Sequence, residues 1–402
     1  MLAFINERDS SRCCGCGACV SICAHKALRL VENAEGYKEP TLDAALCIDC
    51  GLCEKVCPMT NAARVLHIPR QVYAAINKDT ATVRASSSGG VFSVIAEHTL
   101  REGGAVYGAA FGDGMTVRHI RISRTEDLAR LRGSKYVQSD TEGVFRQVKD
   151  DLRRDLPVYF TGVPCQVAAL KLYLRKDYPN LTTTDIVCHG VPSQRMFNLF
   201  LDCFQKRRNA VVVGYKFRDK RVNGWSCSSS CSCRNAKSDK AFEILYDKTL
   251  NSYMNAFLSG AIDRKSCYVC PFARHERTGD LTLADYWGVR RHHPEMDMHN
   301  GVSLLLVNTD RGGAVLNSLA DKLHLTPSRL ELAAQENPNL SHPTPMYAGR
   351  GTVYSEAFAA PEAFVARWAE RNYPANRLKF EAKRLVKSTP WLYSLLKKLL
   401  KR

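Results

Sequence analysis

Eight cysteines near the beginning of the chain fall into two sets with identical spacing. The first set is Cys13, Cys16, Cys19 and Cys23, and the second set is Cys47, Cys50, Cys53 and Cys57. A constant offset of 34 residues relates the two sets, so this part of the chain contains an internal duplication. In runs of the form C-x2-C-x2-C-x3-C, the first three cysteines bind one cubane and the fourth binds the other. The spacing therefore predicts a two-cluster [4Fe–4S] ferredoxin domain within residues 1–66.

The ligands divide between the two clusters in a crossed manner. We assign one cluster to Cys13, Cys16, Cys19 and Cys57, and the other to Cys47, Cys50, Cys53 and Cys23. Tetrahedral zinc also accepts closely spaced thiolates, but a duplicated three-plus-one set is far more specific for clusters. Ala24 stands where a proline, Pro58, follows the second run, a change that can alter local geometry without removing a ligand. Cys14 adjoins the ligands, but only Cys13 keeps the offset, so we interpret Cys14 as a bystander.

The composition indicates a folded protein in a reducing compartment. The chain has 402 residues, of which 45% are hydrophobic and 24% charged, and this size suits two or three domains. The first residues carry no secretory signal, and no stretch approaches the ~18 apolar residues of a membrane span, so we expect a cytoplasmic location. Thiols stay reduced there. The odd number of 17 cysteines therefore predicts metal ligands in preference to a disulfide framework.

The net charge of +17 is concentrated towards the C-terminal end of the sequence. Residues 376–402 contain nine Lys or Arg and one Glu, so the overall charge does not predict specific binding of nucleic acid. Within this basic tail, Leu, Trp and Tyr are interspersed with basic residues, a pattern that suits an amphipathic helix on anionic lipid. A solvated terminal helix that packs its leucines on the protein is the alternative.

Several local patterns predict the elements that position this chemistry. Residues 28–43 carry the alternation and the Gly36 turn of a short hairpin. From Gln71 onwards, apolar runs alternate with glycine, serine and charged helical stretches, which predicts α/β or α+β packing. Residues 126–156 predict a helix, a glycine break and a second helix, and the chain after about residue 330 is less patterned. The predicted fold class is α+β, with a ferredoxin-type domain in front of an α/β domain.

Four segments beyond the ferredoxin domain carry small, polar and cysteine residues in a distinctive order. They are ASSSGGVFS (85–93), RGSKYVQSD (132–140), TGVPCQVAALKLYL with DIVCHGVPS (161–174 and 185–193), and SCYVCPFARHERTGDLTLADYWG (266–288). Together they resemble the family of coenzyme F-420 hydrogenase/dehydrogenase beta subunits. The resemblance implies a region of its N-terminal type at 67–150, one of its C-terminal type at 151–340 and an extension at 341–402. It also implies an FAD-binding domain that passes electrons between clusters and an organic molecule.

Two of these segments also suggest phosphate binding from their residues alone. The first contains Ser87, Ser88, Gly89 and Gly90 directly before a predicted helix, whose bare N–H groups would hold a phosphate. An ordinary N-cap serine is the alternative. The second contains Gly133, Ser134, Lys135 and Tyr136, in which the lysine can neutralise a pyrophosphate and the tyrosine can stack on a ring. A solvated loop is the alternative there. The resemblance adds Thr161 and Gly162 as flavin contacts.

Four further cysteines lie in the segments that resemble the family: Cys165, Cys188, Cys267 and Cys270. If folding brings them together, they would bind a third [4Fe–4S] cluster. Structural zinc, or separate thiols of which one is catalytic, are the alternatives. His189 and His275 lie next to these cysteines and are our candidates for proton donors, although a single histidine is more often structural.

The remaining cysteines are better explained by packing. Residues 211–233 predict a strand, a turn at Asn223-Gly224 and a second strand. Cys227, Cys231 and Cys233 occupy alternate positions in this region, so they would share one face of the strand as small packing residues. Cys203 lies in a helical pattern and is predicted to belong to the core.

The predicted function is that of an iron–sulfur flavoprotein oxidoreductase. Its partners would be a redox carrier such as ferredoxin or a partner oxidoreductase subunit, together with a small-molecule substrate. A non-catalytic electron-transfer subunit of a larger hydrogenase or dehydrogenase complex is the first alternative. A zinc-stabilised binding protein with a basic face is the second. Neither the substrate nor the direction of electron flow follows from the sequence.

Overall fold

The structure is a computed structural model that describes residues 10–245 and 248–370. The predicted amphipathic tail, at residues 376–402, lies outside the described residues. Among the helices of the described part, none is both long and apolar enough to cross a membrane.

The described residues form thirteen strands and a larger number of short helices. The strands are β1 (Leu28–Glu32), β2 (Lys38–Leu42), β3 (Gln71–Asn77), β4 (Ala105–Phe111), β5 (Val117–Ile122), β6 (Val158–Gly162), β7 (Leu181–Ile186), β8 (Ala210–Lys216), β9 (Ser230–Asn235), β10 (Ala241–Leu245), β11 (Leu281–Asp285), β12 (Ser303–Val307) and β13 (Leu323–Pro327). The α-helices are α1 (Ala18–Ile22), α2 (Leu52–Lys55), α3 (Thr80–Ala85), α4 (Val91–Arg101), α5 (Val144–Arg153), α6 (Pro164–Leu174), α7 (Gln194–Arg208), α8 (Lys220–Asn223), α9 (Lys248–Leu258), α10 (Val289–His292), α11 (Asp310–Ser318), α12 (Leu330–Ala334), α13 (Arg350–Ala359) and α14 (Pro361–Glu370). Single 3-10 turns occur at Ser10–Arg12, Ala62–Val65, Asp113–Met115, Thr125–Arg130, Lys265–Val269, Ala320–Lys322 and Pro338–Leu340.

The N-terminal module repeats one short helix in each half of the duplicated sequence. Gly17 precedes α1 with φ 68° and Gly51 precedes α2 with φ 70°, so a left-handed glycine begins both helices. Strands β1 and β2 pair antiparallel between the halves, which confirms the predicted hairpin. Gly36 has φ 83° at its turn, and a Cβ there would lie 2.4 Å from the Arg195 side chain. The turn therefore needs glycine for its backbone and for its contact with the rest of the protein.

An eight-stranded sheet organises most of the remaining chain. Its strand order is β13-β3-β12-β11-β7-β6-β4-β5. Strands β4, β6, β7 and β11 run parallel, and β12 is antiparallel to both β11 and β3. Strand β3 therefore runs in the same direction as β11. The carboxyl ends of β3, β4, β6, β7 and β11 consequently meet along one side of the sheet, which we call the carboxyl edge.

Apolar residues on both faces hold this sheet between helices, as expected for strands buried on two sides. All five residues of β12, SLLLV, are buried. Helix α6 is buried along nearly all of its length and begins with Pro164 at a position that tolerates the missing N–H. Helix α4 covers residues 91–101 and confirms the helix predicted after the Ser/Gly segment. Residues 126–156 begin with a 3-10 turn at Thr125–Arg130 and end with α5, so only the second predicted helix is α-helical.

A smaller sheet, β10-β9-β8, packs with helices α7, α9, α13 and α14 around an aromatic core. Strands β8 and β9 pair antiparallel as predicted. The predicted turn at Asn223-Gly224 is wrong, because the strands are joined by a longer connection that contains α8. The Asp219 side chain caps α8 by accepting from the Arg221 N–H, and this cap stabilises a helical turn where a tight hairpin turn was expected.

The packing cysteines and the C-terminal residues complete this core. Cys231 and Cys233 are buried on one face of β9, and Cys203 is buried in α7, as predicted. Cys227 precedes β9, so the expectation that it shares the face of the strand is wrong. The chain after residue 330 is more ordered than its composition indicated. Phe364 and Val365 of α14 are buried against α7 and α9.

Buried polar contacts hold the N-terminal module against the larger unit. The hydroxyl groups of Tyr37 and Tyr354 lie 2.7 Å apart, and Arg350 pairs with both carboxylate oxygens of Glu35 at 3.0 and 2.7 Å. Arg264 donates from Nε to the carbonyl oxygen of Cys13 at 2.5 Å. The module is therefore fixed in position next to the carboxyl edge.

Candidate functional site

The carboxyl edge of the large sheet collects most of the predicted site residues. Strand β6 ends three residues before Cys165, and β7 ends two residues before Cys188. The loop before α4, which contains the predicted Ser/Gly segment, also lies there, because Asn77 at the end of β3 donates to the Gly89 carbonyl. In open sheets with parallel strands, ligands bind outside the carboxyl ends of the strands. The fold therefore brings two of the predicted chemical features to one place.

The cysteines of the N-terminal module divide into a buried and a more exposed set. The inner cysteine set (Cys13, Cys16, Cys19 and Cys57) is buried. In the outer cysteine set (Cys23, Cys47, Cys50 and Cys53), three residues are half-buried and Cys50 is exposed. The Gly15 N–H donates to the Cys13 sulfur at 3.3 Å. The inner set faces the larger unit, and the outer set is closer to solvent.

The third cysteine set (Cys165, Cys188, Cys267 and Cys270) converges in the folded chain. A hydrogen bond with Cys14, burial and the nearby thiols of Cys270 and Cys188 raise the pKa of Cys165. Burial and then the Cys270 thiol raise the pKa of Cys188 to about 12. The thiols of Cys188 and Cys270 also contribute to the raised pKa of Cys267, after burial and Asp263. Residues up to 105 positions apart in the sequence thus become neighbours, as the prediction of a third cluster requires.

Cys14 lies between the inner set and the third set. Its thiol lies beside those of Cys16 and Cys165, and it is only 8% exposed. The bond with Cys16 is the main reason why the pKa of Cys14 is low. The Gln138 amide donates to the Cys14 carbonyl at 2.8 Å and holds the backbone in place. Cys14, which does not follow the repeated cysteine spacing, is therefore the residue that contacts both cysteine sets.

The four thiols of the third set match the donor set of a [4Fe–4S] cluster. Around a cubane, each thiolate binds a different iron atom, so the thiolates stand further apart than around zinc. Arg277 is 1% exposed, its Nε has no hydrogen-bond partner among the described residues, and its positive charge acts on Cys188 and Cys270. These residues fit an anionic iron–sulfur cluster.

The two predicted phosphate-binding loops contact each other. Ser134 donates from its backbone N–H and its hydroxyl to the Ser87 hydroxyl, at 2.8 and 3.0 Å. Ser88 donates to the Val302 carbonyl, which ties the first loop to the sheet. A Cβ at Gly89 would lie 2.3 Å from the Ala75 carbonyl oxygen, so only glycine allows this approach. The loops therefore form one surface.

Helix α4 begins without a serine cap. Gly90 is its N-cap residue with φ 82°, and no side chain bonds to the first helical N–H groups. The alternative of an ordinary N-cap serine is therefore wrong. The first turn of this 11-residue helix keeps its donors and its positive dipole end available.

Lys135 and Tyr136 differ in how far they remain available for a ligand. The Lys135 ammonium donates to the carbonyl oxygens of Arg130 and Arg132 and forms no ion pair among the described residues. Burial lowers its pKa to about 7. The Tyr136 ring packs against Phe217 and Phe257, with ring centres 5.5 and 5.0 Å apart. Tyr136 thus already has aromatic neighbours in the protein.

Comparison with known proteins adds to this geometry. Residues 156–331 match the family model for the C terminus of the beta subunit of coenzyme F420 hydrogenase/dehydrogenase. Residues 12–61 match the "4Fe-4S dicluster domain". The chain thus resembles a dicluster domain in its N-terminal part and, further along, the C terminus of these beta subunits. Both the resemblance and the N-terminal iron–sulfur prediction are confirmed.

Two individual proteins are also similar to this chain. The F subunit of the F(420)H(2) dehydrogenase of Methanosarcina mazei is 27% identical over 174 residues, which is 40% of this chain and 48% of that protein. The chain thus matches about half the length of this curated relative. A chain of the F420-reducing [NiFe] hydrogenase complex from Methanosarcina barkeri aligns over 74% of this chain and 95% of its own length, with 17% identity and a TM-score of 0.45.

Within the matched residues 156–331, the two predicted histidines have different surroundings. His189 is half-buried, its Nε2 lies 3.1 Å from the Phe257 carbonyl, and burial lowers its pKa. His275 is exposed in the loop after Cys270 and contacts the Ser341 hydroxyl at 3.2 Å. In chain order His189 thus lies within the third cysteine set and His275 follows it, and the two histidines differ clearly in burial.

Thr161 and Gly162 end β6 beside a buried histidine. The Thr161 carbonyl lies 2.9 Å from His119 Nε2, and burial lowers the pKa of His119 to about 4. A Cβ at Gly162 would lie 3.0 Å from Gln166 Oε1. Both residues therefore lie at the carboxyl edge, with His119 and Gln166 packed over them.

A charged and aromatic group that lies beside the two loops was not predicted from the sequence. Arg218 donates to both oxygens of Asp285, at 2.6 and 3.2 Å, to the Tyr136 hydroxyl at 3.1 Å and to the Ser87 carbonyl at 3.3 Å. Trp225 donates to Asp285 at 2.6 Å and stacks on Trp287 at 4.7 Å. Two features of the sequence could have indicated this group. One is the basic run inside the predicted hairpin, and the other is the triplet Asp285-Tyr286-Trp287 at the end of β11.

Lys220 adds a second buried ammonium to this surface. It donates to the carbonyl oxygens of Val83 at 2.6 Å and Ser88 at 2.9 Å, and burial lowers its pKa to about 8. In the described part of the chain it forms no ion pair. Two lysines without carboxylate partners therefore flank the Ser/Gly loops.

Proposed function

We propose that this chain is an iron–sulfur flavoprotein oxidoreductase that exchanges electrons between a one-electron carrier and an organic substrate or coenzyme. The observation that carries the proposal is the succession of three cysteine sets, of which the outer set is the most exposed. The outer set lies nearest solvent, the inner set is buried against the larger unit, and the third set lies at the carboxyl edge. Such a sequence of sites suits electron transfer from the surface to an internal reaction site.

The contact between domains supports short-range transfer. Arg264 and Gln138 hold the backbone of the Cys13–Cys14 turn, and the Cys14 thiol contacts Cys165. These bonds fix the inner set against the third set without a flexible connection. The chain itself therefore supplies the rigid spacing that electron transfer requires.

The loop surface supports a flavin dinucleotide as the second type of group. Ser87 and Ser134 align the two loops, and the uncapped start of α4 offers backbone N–H donors. Lys135 and Lys220 provide two ammonium groups without carboxylate partners, which suits the charge of a pyrophosphate. A bound flavin supplies the exchange between one-electron and two-electron chemistry, which clusters alone do not.

A non-catalytic electron-transfer subunit is the second candidate. The curated relative is itself named as one subunit of a dehydrogenase, so an assembly of several chains is a reasonable setting for this one. In that case this chain would only connect a partner oxidoreductase subunit to a carrier. A cytoplasmic location suits both candidates, because iron–sulfur ligands need reduced thiols.

Anaerobic purification followed by metal, sulfide and flavin analysis tests the proposal. We expect about twelve iron and about twelve acid-labile sulfide per chain, from three cubanes, together with one FAD. The isolated chain should then turn over a small-molecule acceptor with dithionite or reduced ferredoxin. Clusters and flavin without turnover would favour the non-catalytic candidate. A chain with zinc and no iron would exclude both.

The basic tail suggests a further partner for this protein, a lipid surface. We propose peripheral contact with anionic lipid through residues 376–402. Deletion of these residues should abolish co-sedimentation with anionic liposomes at low salt and leave the iron content unchanged. Failure of the full chain to sediment at low salt would exclude this partner.

A further inference from the structure

The outer cysteine set lies at an exposed surface of the N-terminal module. We call this surface, which residues 43–55 form, the outer face. Leu46 is 49% exposed and Ile48 is 61% exposed, and they flank Cys47, which is half-buried. Cys50 is itself exposed. Large aliphatic side chains on both sides of a proposed ligand are thus open to solvent, at the place where the outer cluster comes nearest the surface.

Hydrogen bonds fix the loop that presents these apolar side chains. The Asp43 N–H donates to the Ala27 carbonyl at 2.8 Å, which anchors the loop to the residues after the first cysteine run. Asp43 Oδ1 accepts from the Ala45 N–H at 3.0 Å, and the Leu46 N–H donates to the Asp43 carbonyl at 3.3 Å. The exposed apolar residues therefore belong to a defined turn, and exposed apolar surface of this kind marks interaction sites.

The outer face is acidic, in contrast to the protein as a whole. Asp43, Asp49 and Glu54 are exposed on it, and Lys55 is its only basic residue. Residues 12–61 contain six acidic and five basic residues, whereas the chain carries a net charge of +17. Four thiolates outweigh the positive charge of a [4Fe–4S] core, so a bound cluster adds negative charge here. A positively charged molecule is therefore attracted to this face and repelled by the basic remainder of the protein.

The size of the apolar area indicates a transient contact. Weak redox encounters bury less than about 1,200 Å², whereas obligate subunit interfaces are larger and more hydrophobic. Within the outer face, Leu46 and Ile48 are the two large apolar side chains that are exposed, which is too few for the centre of an obligate interface. A symmetric contact with a second copy of this chain would bring Asp43 and Glu54 towards their own equivalents, and like charges oppose that arrangement.

We propose that the outer face is the docking surface for a soluble one-electron carrier protein whose redox centre is surrounded by basic side chains. The proposal rests on the proposed function, which places a cluster at the outer cysteine set. Leu46 and Ile48 form the dry centre of the contact, and Asp43 and Glu54 attract the basic rim of the carrier. In each encounter the cluster and the carrier exchange one electron, so one is oxidised as the other is reduced and no covalent bond changes.

One pair of double variants tests the charge of the outer face. Asp43→Asn with Glu54→Gln removes two charges and keeps the shape of both side chains, and asparagine can still accept from the Ala45 N–H. The matched control is Asp321→Asn with Glu331→Gln. These two acidic residues are also exposed, but they precede and follow β13, outside the N-terminal module.

A pair of single variants tests the apolar centre of the outer face. Leu46→Ser removes an aliphatic side chain that is about half exposed. Leu258→Ser is the matched control, because Leu258 at the end of α9 is exposed to the same degree, 48%. Neither leucine is buried in a core, so both variants should fold and keep the iron content of the unmodified protein.

The test is stopped-flow oxidation of the full-length protein, reduced with dithionite and freed of excess reductant, by ferric cytochrome c, a basic one-electron acceptor. At low ionic strength we expect D43N/E54Q to react about tenfold more slowly than the unmodified protein. This difference should disappear at about 1 M salt, where the Debye length is only about 3 Å. L46S should react about threefold more slowly at every salt concentration. D321N/E331Q and L258S should react at the rate of the unmodified protein.

A second acceptor separates docking from damage to the cluster. Anthraquinone disulfonate is a small dianion that accepts electrons without a protein contact. L46S should reduce it as fast as the unmodified protein does. D43N/E54Q should reduce it at least as fast, because this variant repels an anion less.

Four results would overturn the inference. Equal slowing of D43N/E54Q and D321N/E331Q with cytochrome c would attribute the effect to the overall charge. Unchanged rates in both outer-face variants would place the contact elsewhere. A dimer of the unmodified protein that L46S abolishes would make a second copy the occupant. Slower reduction of anthraquinone disulfonate by L46S would show damage to the cluster. A purified protein without iron would instead remove the proposed function, and the docking surface with it.

Discussion

The thiol of Cys14 contacts the thiol of Cys165 across the boundary between the N-terminal module and the large sheet. Cys16, which we assign to the inner set, is the other neighbour of Cys14. One residue without a ligand assignment thus connects two sets of proposed ligands. The contact places the proposed ligands of two clusters side by side.

Substitution of Cys14 tests this division of roles. Cys14→Ser should keep about twelve iron per chain, because the inner cluster has Cys13 and the third cluster has its own four thiols. Cys13→Ser should lose about four iron and the corresponding paramagnetic signal. Iron analysis and spectroscopy of both variants provide the measurement. Loss of iron in the Cys14 variant would make this residue a ligand and change the assignment.

The third cysteine set makes a second prediction. Cys188→Ser should reduce the iron content from about twelve to about eight per chain and leave the signals of the N-terminal module intact. Cys203→Ser is the matched control, because Cys203 is a buried cysteine in the aromatic core and far from the carboxyl edge in the fold. Twelve iron in both variants would contradict a third cluster at these residues.

Local signals in the sequence predicted the parts of the fold that depend on neighbouring residues. The hairpin at Gly36 follows from a glycine turn between alternating strands, and α4 follows from an apolar period after small residues. The cluster ligands follow from repeated spacing. Each of these features depends on contacts between residues close in the sequence, so the local sequence pattern is enough to predict it.

Features formed by distant residues could not be predicted in this way. Arg218 and Asp285 pair across 67 positions, and nothing near either residue indicates the other. The Asn223-Gly224 turn failed because the Asp219 side chain stabilises a helical turn instead. The alternation of apolar runs and helical stretches also does not predict the order of the eight strands in the sheet. That strand order is what brings Cys165 and the Ser/Gly loop to the same edge.

The contact between the N-terminal module and the larger unit depends on Arg350. This residue is 2% exposed and forms a two-pronged pair with Glu35. Arg350→Met removes the buried partner of the Glu35 carboxylate and leaves only Lys265, 3.8 Å away. We therefore expect a loss of about 3 kcal/mol in the free energy of unfolding. A chelator should also extract iron from the inner cluster faster in this variant, because the module protects that cluster by docking.

Arg367 provides the matched control for this prediction. It forms an exposed pair with Glu356 on the same pair of C-terminal helices. Pairs of this kind contribute about 0–1 kcal/mol. Arg367→Met should therefore shift the midpoint of thermal unfolding only slightly. It should leave the rate of iron extraction unchanged. Equal effects of the two substitutions would show that the Glu35 pair does not hold the module in place.

Burial of the Lys135 ammonium group makes the stability of the protein dependent on pH. Burial lowers the pKa of its ammonium group to about 7 in the flavin-free chain. An unfolded lysine keeps its proton up to about pH 10.4, so the unfolded chain binds more protons between these values. The free energy of unfolding therefore rises with pH between these two pKa values. Below about pH 7, Lys135 does not contribute to the pH dependence of the unfolding free energy.

Flavin binding should show the opposite dependence. The pyrophosphate of FAD attracts the protonated form, so affinity should fall as the pH rises above about 7, and further as Lys220 loses its proton near pH 8. Lys135→Met should weaken binding about tenfold at pH 6, since a hydrogen bond to a charged group contributes about 1.5–3 kcal/mol, and should flatten the pH profile. Titration of deflavinated protein with FAD measures both effects. The exposed Lys240→Met is the control, and equal affinity of Lys135→Met and Lys240→Met at pH 6 would exclude Lys135 from the flavin site.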